Sequence, residues 1–171
     1  MRFLRLVLVS IIVFALVIIF LFSLFPKNPS VSRVIKIHGS QEELTRILTD
    51  LSNWPAWNQF LAESDEGKIR VSAPSNLPGS TIQKGQLTVR LISSGIDSVL
   101  TLWTNSQGRS FSSVFLLMPA DKDSTYIQWK FSFHLHWYPW EKLGSMFYER
   151  QFGPVMEKSL FNLEDYLGKN P

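Results

Sequence analysis

The chain has 171 residues and no cysteine. That excludes a disulfide framework and a thiolate nucleophile. It leaves the compartment open, because a chain without thiols needs neither an oxidising nor a reducing one. Histidine is scarce, at three residues. No G-x-S-x-G elbow, P-loop or G-x-G-x-x-G occurs, so the common hydrolase, nucleotide and dinucleotide signatures are missing. Charge is sparse too, at 18% of residues. Without Arg2 and Arg5, the part from Pro26 onward carries 15 basic and 14 acidic residues, a net charge of +1. It has no basic stripe, which argues against nucleic acid as a partner. No internal repeat and no low-complexity tract interrupts the chain.

What the chain does have is one long apolar run. Leu6 to Phe25 is 20 residues whose only polar members are Ser10 and Ser23. As a helix rising about 1.5 Å per residue it would span about 30 Å, the thickness of a bilayer's hydrocarbon core. A cleaved signal peptide is the rival reading, with Arg2 and Arg5 as its basic region. Such a peptide has a shorter apolar core and a small-x-small cleavage site, whereas Phe22-Ser23-Leu24-Phe25 is bulky. An uncleaved single-pass anchor over residues 1–25 is therefore expected. Arg2 and Arg5 precede the run while Lys27, Arg33 and Lys36 follow it, so the positive-inside rule is nearly balanced. The short N-terminal tail favours a cytoplasmic N-terminus, with the domain on the far side, periplasmic or otherwise extracytoplasmic.

Residues 26–30, PKNPS, read as a linker, since two prolines block a helix. Residues 31–171 then suffice for one globular domain. Val31 to Ile37 alternates as a strand does. Ser40 with Glu43 makes a capping box, and Leu44, Ile47, Leu48 and Leu51 form an apolar helical stripe. Trp54 and Trp57 bracket Pro55 at a corner, read as a turn or a second short helix that Asn53 could cap; Phe60 follows three residues after Trp57. From Gly67 the period changes to two. Residues 68–73, 80–84, 86–93, 97–104, 109–118 and 125–137 are six predicted strands with short turn-forming links, which implies an antiparallel meander. Met156, Leu160, Leu163 and Leu167 mark a C-terminal helix, with Pro154 suited to its first turn and Gly168 to its stop. Residues 140–152 are expected to add helical turns before it.

This order, together with VSRVIKIHG, SQEELTRILTDLSNWPAWNQF, DSTYIQWKFSF and FGPVMEKSLFNLEDYL, resembles the START-like helix-grip superfamily, in particular its bacterial polyketide-cyclase-like (SRPBCC) branch. The resemblance covers about residues 31 to 168; NLPGSTIQKGQ matches its strand pair only loosely. It implies an α+β fold, a curved antiparallel sheet wrapped around a long C-terminal helix with an apolar cavity between them. Members with an N-terminal membrane span belong to the same family. The corner bearing Trp54 and Trp57 would then either border the cavity or fill core.

Candidate cavity residues, chosen by strand parity and helical spacing, are Trp54, Trp57, Phe60, Trp103, Phe115, Trp129, Phe133, Met156 and Leu160. Arg90 is added as either an exposed residue or an inward charge that could hold an anionic head group. His134 and His136 share a strand face, but no third ligand is visible, so no metal and no cofactor are assigned. Glu63, Asp65 and Glu66 read as a solvated loop. The expected function is binding of a hydrophobic small molecule or lipid, with no catalytic residue assigned. The alternatives are a polyketide cyclase or dehydratase-like enzyme, which needs a positioned acid or base, and an envelope protein-interaction module whose cavity is filled by its own aromatics, its partner unknown.

Overall fold

The computed structural model describes residues 2–23, 28–62, 67–121, 123–135 and 138–169. The first element, helix α1 (Arg2–Ser23), carries the apolar run with its side chains exposed: Phe3, Leu6, Ile11, Phe14 and Phe20 each present more than half their surface. Among the described residues no helix is long and apolar enough to cross a membrane. The predicted spanning segment is not found as such: α1 ends at Ser23, and Leu24 and Phe25 lie outside the described residues, as do Pro26 and Lys27 of the linker.

Strand β1 (Ser30–His38) buries Val31 and Ile37 and leaves Val34 exposed, as its alternation predicts. Helix α2 (Gln41–Thr49) starts at Ser40, whose hydroxyl accepts the Glu43 amide at 3.2 Å. Leu44, Ile47 and Leu48 face inward from it. The chain then turns on Asp50. Its carboxylate accepts the Ser52 amide at 3.0 Å and starts a single 3-10 turn, Leu51–Asn53, which runs into the one-turn helix α3 (Trp54–Trp57). Asn53 makes no side-chain cap, so Asp50 takes that role at the corner, and Pro55 sits in the first turn of α3, where a missing N–H costs nothing.

Six strands follow: β2 (Ile69–Val71), β3 (Thr81–Lys84), β4 (Leu87–Ser94), β5 (Ser98–Thr104), β6 (Ser110–Asp121) and β7 (Ser124–Ser132). They form one antiparallel sheet in the order β1-β7-β6-β5-β4-β3-β2. It is a meander closed on one side by the first strand, with Val31 opposite Phe131 and Ile35 opposite Ile127. Irregularities in β4 between Leu91 and Ser93 and in β6 between Pro119 and Asp121 bend the sheet. The last strand stops at Ser132, short of its predicted end, and His136 and Trp137 lie outside the described residues, as do Glu63, Asp65 and Glu66.

Two helices complete the domain, α4 (Pro139–Ser145) and α5 (Tyr148–Lys169). Pro154 was expected to open the C-terminal helix, yet α5 begins six residues earlier and contains it. The proline is exposed, and the Arg150 carbonyl it leaves unbonded is on the exposed side, where water can satisfy it. Gly168 likewise lies within the last turn of α5. Helix α5 packs on β1 and α3, burying Met156, Leu160, Leu163 and Leu167. Gly153 makes this approach possible. A Cβ there would collide with the guanidinium of Arg33, which crosses over the glycine to pair with Glu149 at 2.6 Å.

Candidate functional site

The concave face of the sheet carries an unbroken aromatic cluster. Trp54, Trp57, Trp103, Trp129, Phe115 and Phe131 are all buried. Phe115 stacks on Trp129 with centroids 4.8 Å apart, Trp103 meets Phe131 edge-on at 5.1 Å, and Trp54 touches Trp57 at 5.3 Å. Three indoles are anchored by hydrogen bonds. Trp54 Nε1 donates to the Leu48 carbonyl at 3.0 Å, Trp103 Nε1 to Thr101 Oγ1 at 3.0 Å, and Trp129 Nε1 to Ser113 Oγ at 2.7 Å. Thr101 and Ser113 are opposite each other on β5 and β6, so two small hydroxyl residues leave room for two large rings and bind their N–H groups. Trp57 Nε1 and Asn58 Nδ2 are buried with no hydrogen-bond partner among the described residues.

This packing decides the fate of the predicted cavity residues. Trp54, Trp57, Trp103, Phe115, Trp129 and Met156 fill the core; Leu160 is also buried and borders a small groove, about 210 Å³, beside Arg33 and Phe161. Phe60 is half-buried and inserts among Trp103, Trp129, Phe131 and Phe152 at 5.5 to 6.0 Å. Arg90 is exposed, on the face opposite to buried Val89 and Leu91, so it holds nothing inside. Phe60 also borders a depression of about 310 Å³ with Lys84, Leu87 and Asn105.

The open space is displaced toward one end of the domain. A cavity of about 420 Å³ lies between the β5–β6 hairpin, the segment after β7, α4 and the start of α5. Phe111, Phe133, Tyr148 and Phe152 form its aromatic side, joined ring to ring: Phe133 is 4.4 Å from Tyr148, and 5.0 Å from both Phe111 and Phe152. Asn105, Gln107, Arg109, His134, Glu141 and Gln151 supply the polar side. Phe133 alone of the predicted residues lines it.

The polar rim is held in place by local geometry. Asn105 Oδ1 accepts the amides of Gln107 and Arg109, both at 3.0 Å, and Gly108 takes φ +71°, a backbone region that favours glycine. The hairpin so fixed carries Arg109, whose guanidinium is 3.8 Å from Glu141 on α4. The Glu141 side chain is only 9% exposed, whereas that of Arg109 is 62% exposed. His134 bonds Asn28 at 2.9 Å. Among the described residues no group of three His, Asp or Glu side chains could hold a metal ion. A second, more open depression, about 540 Å³, is lined by Glu42, Thr45, Arg46, Thr49, Asp50, Asn76 and Ile96, where largely aliphatic stems form the wall and no aromatic ring takes part.

The missed lining residues had a signal. Tyr148 and Phe152 continue the stripe of Met156 and Leu160 backward at steps of four, and Phe111 shares the parity of Ser113 and Phe115. Placing Pro154 in the helix's first turn kept these two residues out of the stripe.

Comparison of the coordinates with solved structures places this architecture among known relatives of the fold. A START superfamily protein from Mycobacterium smegmatis superposes with a TM-score of 0.56 at 16% identity, over 83% of this chain and 99% of its own. Norcoclaurine synthase from Thalictrum flavum, solved with dopamine and hydroxybenzaldehyde, gives 0.57 at 10% identity, over 84% and 88%. An HSP90 activator from Plasmodium falciparum gives 0.57 at 12%, over 81% and 96%. At such identities the likeness is one of fold, and the helix-grip architecture expected from the sequence is present, with no helix among the described residues long and apolar enough to cross a membrane. Comparison with curated proteins found no match. A family profile described as "Polyketide cyclase / dehydrase and lipid transport" matches residues 28–168. Since that match takes in the complete sheet and nearly all of α5, the chain belongs to the polyketide cyclase / dehydrase and lipid transport family.

Proposed function

We propose that the domain binds a hydrophobic or amphipathic small molecule, a lipid being the leading class, in the cavity at the hairpin end. The observation that carries this reading is the cavity's division: an aromatic floor of Phe111, Phe133, Tyr148 and Phe152 beneath a rim bearing Arg109, His134 and Gln151. Its volume, about 420 Å³, falls in the range of small-molecule sites, which pair apolar walls with a few orienting polar groups. Binding would strip water from the apolar part of the ligand and leave its polar end at the rim.

Catalysis is the second reading, favoured by one observation. Glu141 is a carboxylate lining the cavity with little solvent access, the kind of group a cyclase or dehydratase would use as acid or base. Glu141→Gln separates the two: it abolishes turnover in an enzyme and leaves occupancy unchanged in a carrier.

The proposal includes attachment to a membrane through residues 6–25, with the N-terminus cytoplasmic and the domain on the far side. Support comes from α1, whose apolar side chains are exposed around the helix; a helix apolar on every side belongs in an apolar medium. Pelleting with membranes at alkaline pH is expected for the full chain and not for a chain lacking residues 1–25. Recovery of the full chain in the soluble fraction would refute attachment.

Native mass spectrometry of residues 28–171 purified without detergent tests binding. The expected result is an apolar adduct at about one per chain, removable by organic extraction. A folded domain that stays empty when offered a cellular lipid extract would overturn the reading.

A further inference from the structure

The segment that walls the cavity also carries a group of uncovered apolar side chains. Leu143 on α4, and Met146 and Phe147 in the turn to α5, are 48%, 61% and 63% exposed within five residues of each other. Glu141 and Tyr148, immediately on either side, line the cavity. Helix α1 touches α4 and still leaves these three side chains open. The apolar helix α1 thus lies beside the element that carries this group. Only six residues separate Ser23 from Ser30, a reach of about 20 to 25 Å at full extension, which keeps the domain close to whatever medium holds α1.

We propose that Leu143, Met146 and Phe147 dip into the surface of a lipid bilayer, so that the cavity mouth opens at the membrane and draws its ligand from it. The inference rests on the membrane attachment and ligand binding argued above and deepens both by naming the lipid source. Large apolar residues on a short helical segment lying in the interfacial plane are the usual device for such contact. The polar rim then faces the head-group layer and the aromatic floor receives the apolar chain. The β4–β5 turn, at the other end of β5, points away: β5 alone, Ser98–Thr104, measures about 24 Å.

The chain has no cysteine, so a single introduced one carries a label without background. The full chain, labelled with nitrobenzoxadiazole at Phe147→Cys or at Ile96→Cys on the distal turn, is reconstituted into phosphatidylethanolamine and phosphatidylglycerol vesicles. Expected is a blue shift at position 147 and loss of its emission when brominated lipid is included, with neither at position 96. Emission at 147 that brominated lipid leaves untouched overturns the proposal; a blue shift that needs no vesicles and grows with protein concentration also overturns it and assigns the patch to a second copy. In parallel, the triple variant Leu143→Ser, Met146→Ser, Phe147→Ser should keep its bound lipid and slow exchange with vesicles at least about tenfold, which losing the burial of even one such side chain would cause. Unchanged exchange in a lipid-loaded triple variant sinks the surface and spares the binding site. Wild-type protein that carries no lipid, yet is quenched at 147, sinks the binding site and spares the surface.

Discussion

The indole N–H of Trp129 donates to the hydroxyl of Ser113 across the β6–β7 pair at 2.7 Å, inside a core where both residues are fully buried. The same ring stacks on Phe115. Trp129→Ala should cost about 3 to 5 kcal/mol. Ser113→Ala should cost about 1 to 3 kcal/mol, because it leaves a buried indole donor unpaired. Urea denaturation of both variants checks this, and a loss below about 1 kcal/mol for Trp129→Ala would contradict a load on this ring.

Asp50 offers a pH test. Partial burial pushes its carboxyl up, but the hydroxyls of Ser75 and Ser52, with the Ser52 amide, together hold it below its ordinary value of 3.8. The folded state therefore binds this proton less tightly than the unfolded chain does. Its contribution is present above pH 3.8 and is lost as the pH falls through the lower folded value. Asp50→Asn should cost about 1 kcal/mol at neutral pH through loss of the cap. The gap to wild type should close on acidification below about pH 4. A gap that is constant from neutral to strongly acid solution would show that the charge is irrelevant.

Gln151 lines the cavity from an exposed position on α5, so it can be enlarged at small risk to the fold. Gln151→Trp should lower the occupancy of any apolar adduct while stability stays within about 0.5 kcal/mol of wild type. Undiminished occupancy, read by native mass spectrometry, would move the ligand elsewhere.

Gly153 and Arg33 should prove coupled. Gly153→Ala displaces the guanidinium from Glu149, and the gain in helix propensity, about 1 kcal/mol, offsets part of the loss. The net change is expected within about 1 kcal/mol. In a double-mutant cycle, Glu149→Gln should have an effect in wild type and little in Gly153→Ala. Simple additivity of the two would refute the coupling.

The parts legible in the sequence are those governed by local rules. The Ser40 cap, the apolar stripe of α2 and the alternation of Ile127, Trp129 and Phe131 each depend on neighbours within a turn or a pleat, and each appears as expected. Six strand positions were readable for the same reason. Depth was not readable. Whether Trp54 and Trp57 border a void or fill it depends on how α3 folds against β5, β6 and α5, which no local spacing encodes. Pro154 misled because its cost depends on which side of α5 faces water. The cavity consequently sits one end further along than the parity of the strands suggested, where Tyr148 and Phe152 extend the helix.

The sheet's order also has a consequence in time. β1 is finished early in synthesis, but its partner β7 lies about a hundred residues downstream, with Val31 opposite Phe131. At about 5 to 20 residues per second the intervening chain takes several seconds or more to appear. Until β7 is made, β1 has no partner strand and the sheet cannot close on that side. The opening strand must wait as a bare edge, and Arg33 and Lys36, which lie along it, are the charges that discourage it from pairing with a neighbour in the meantime.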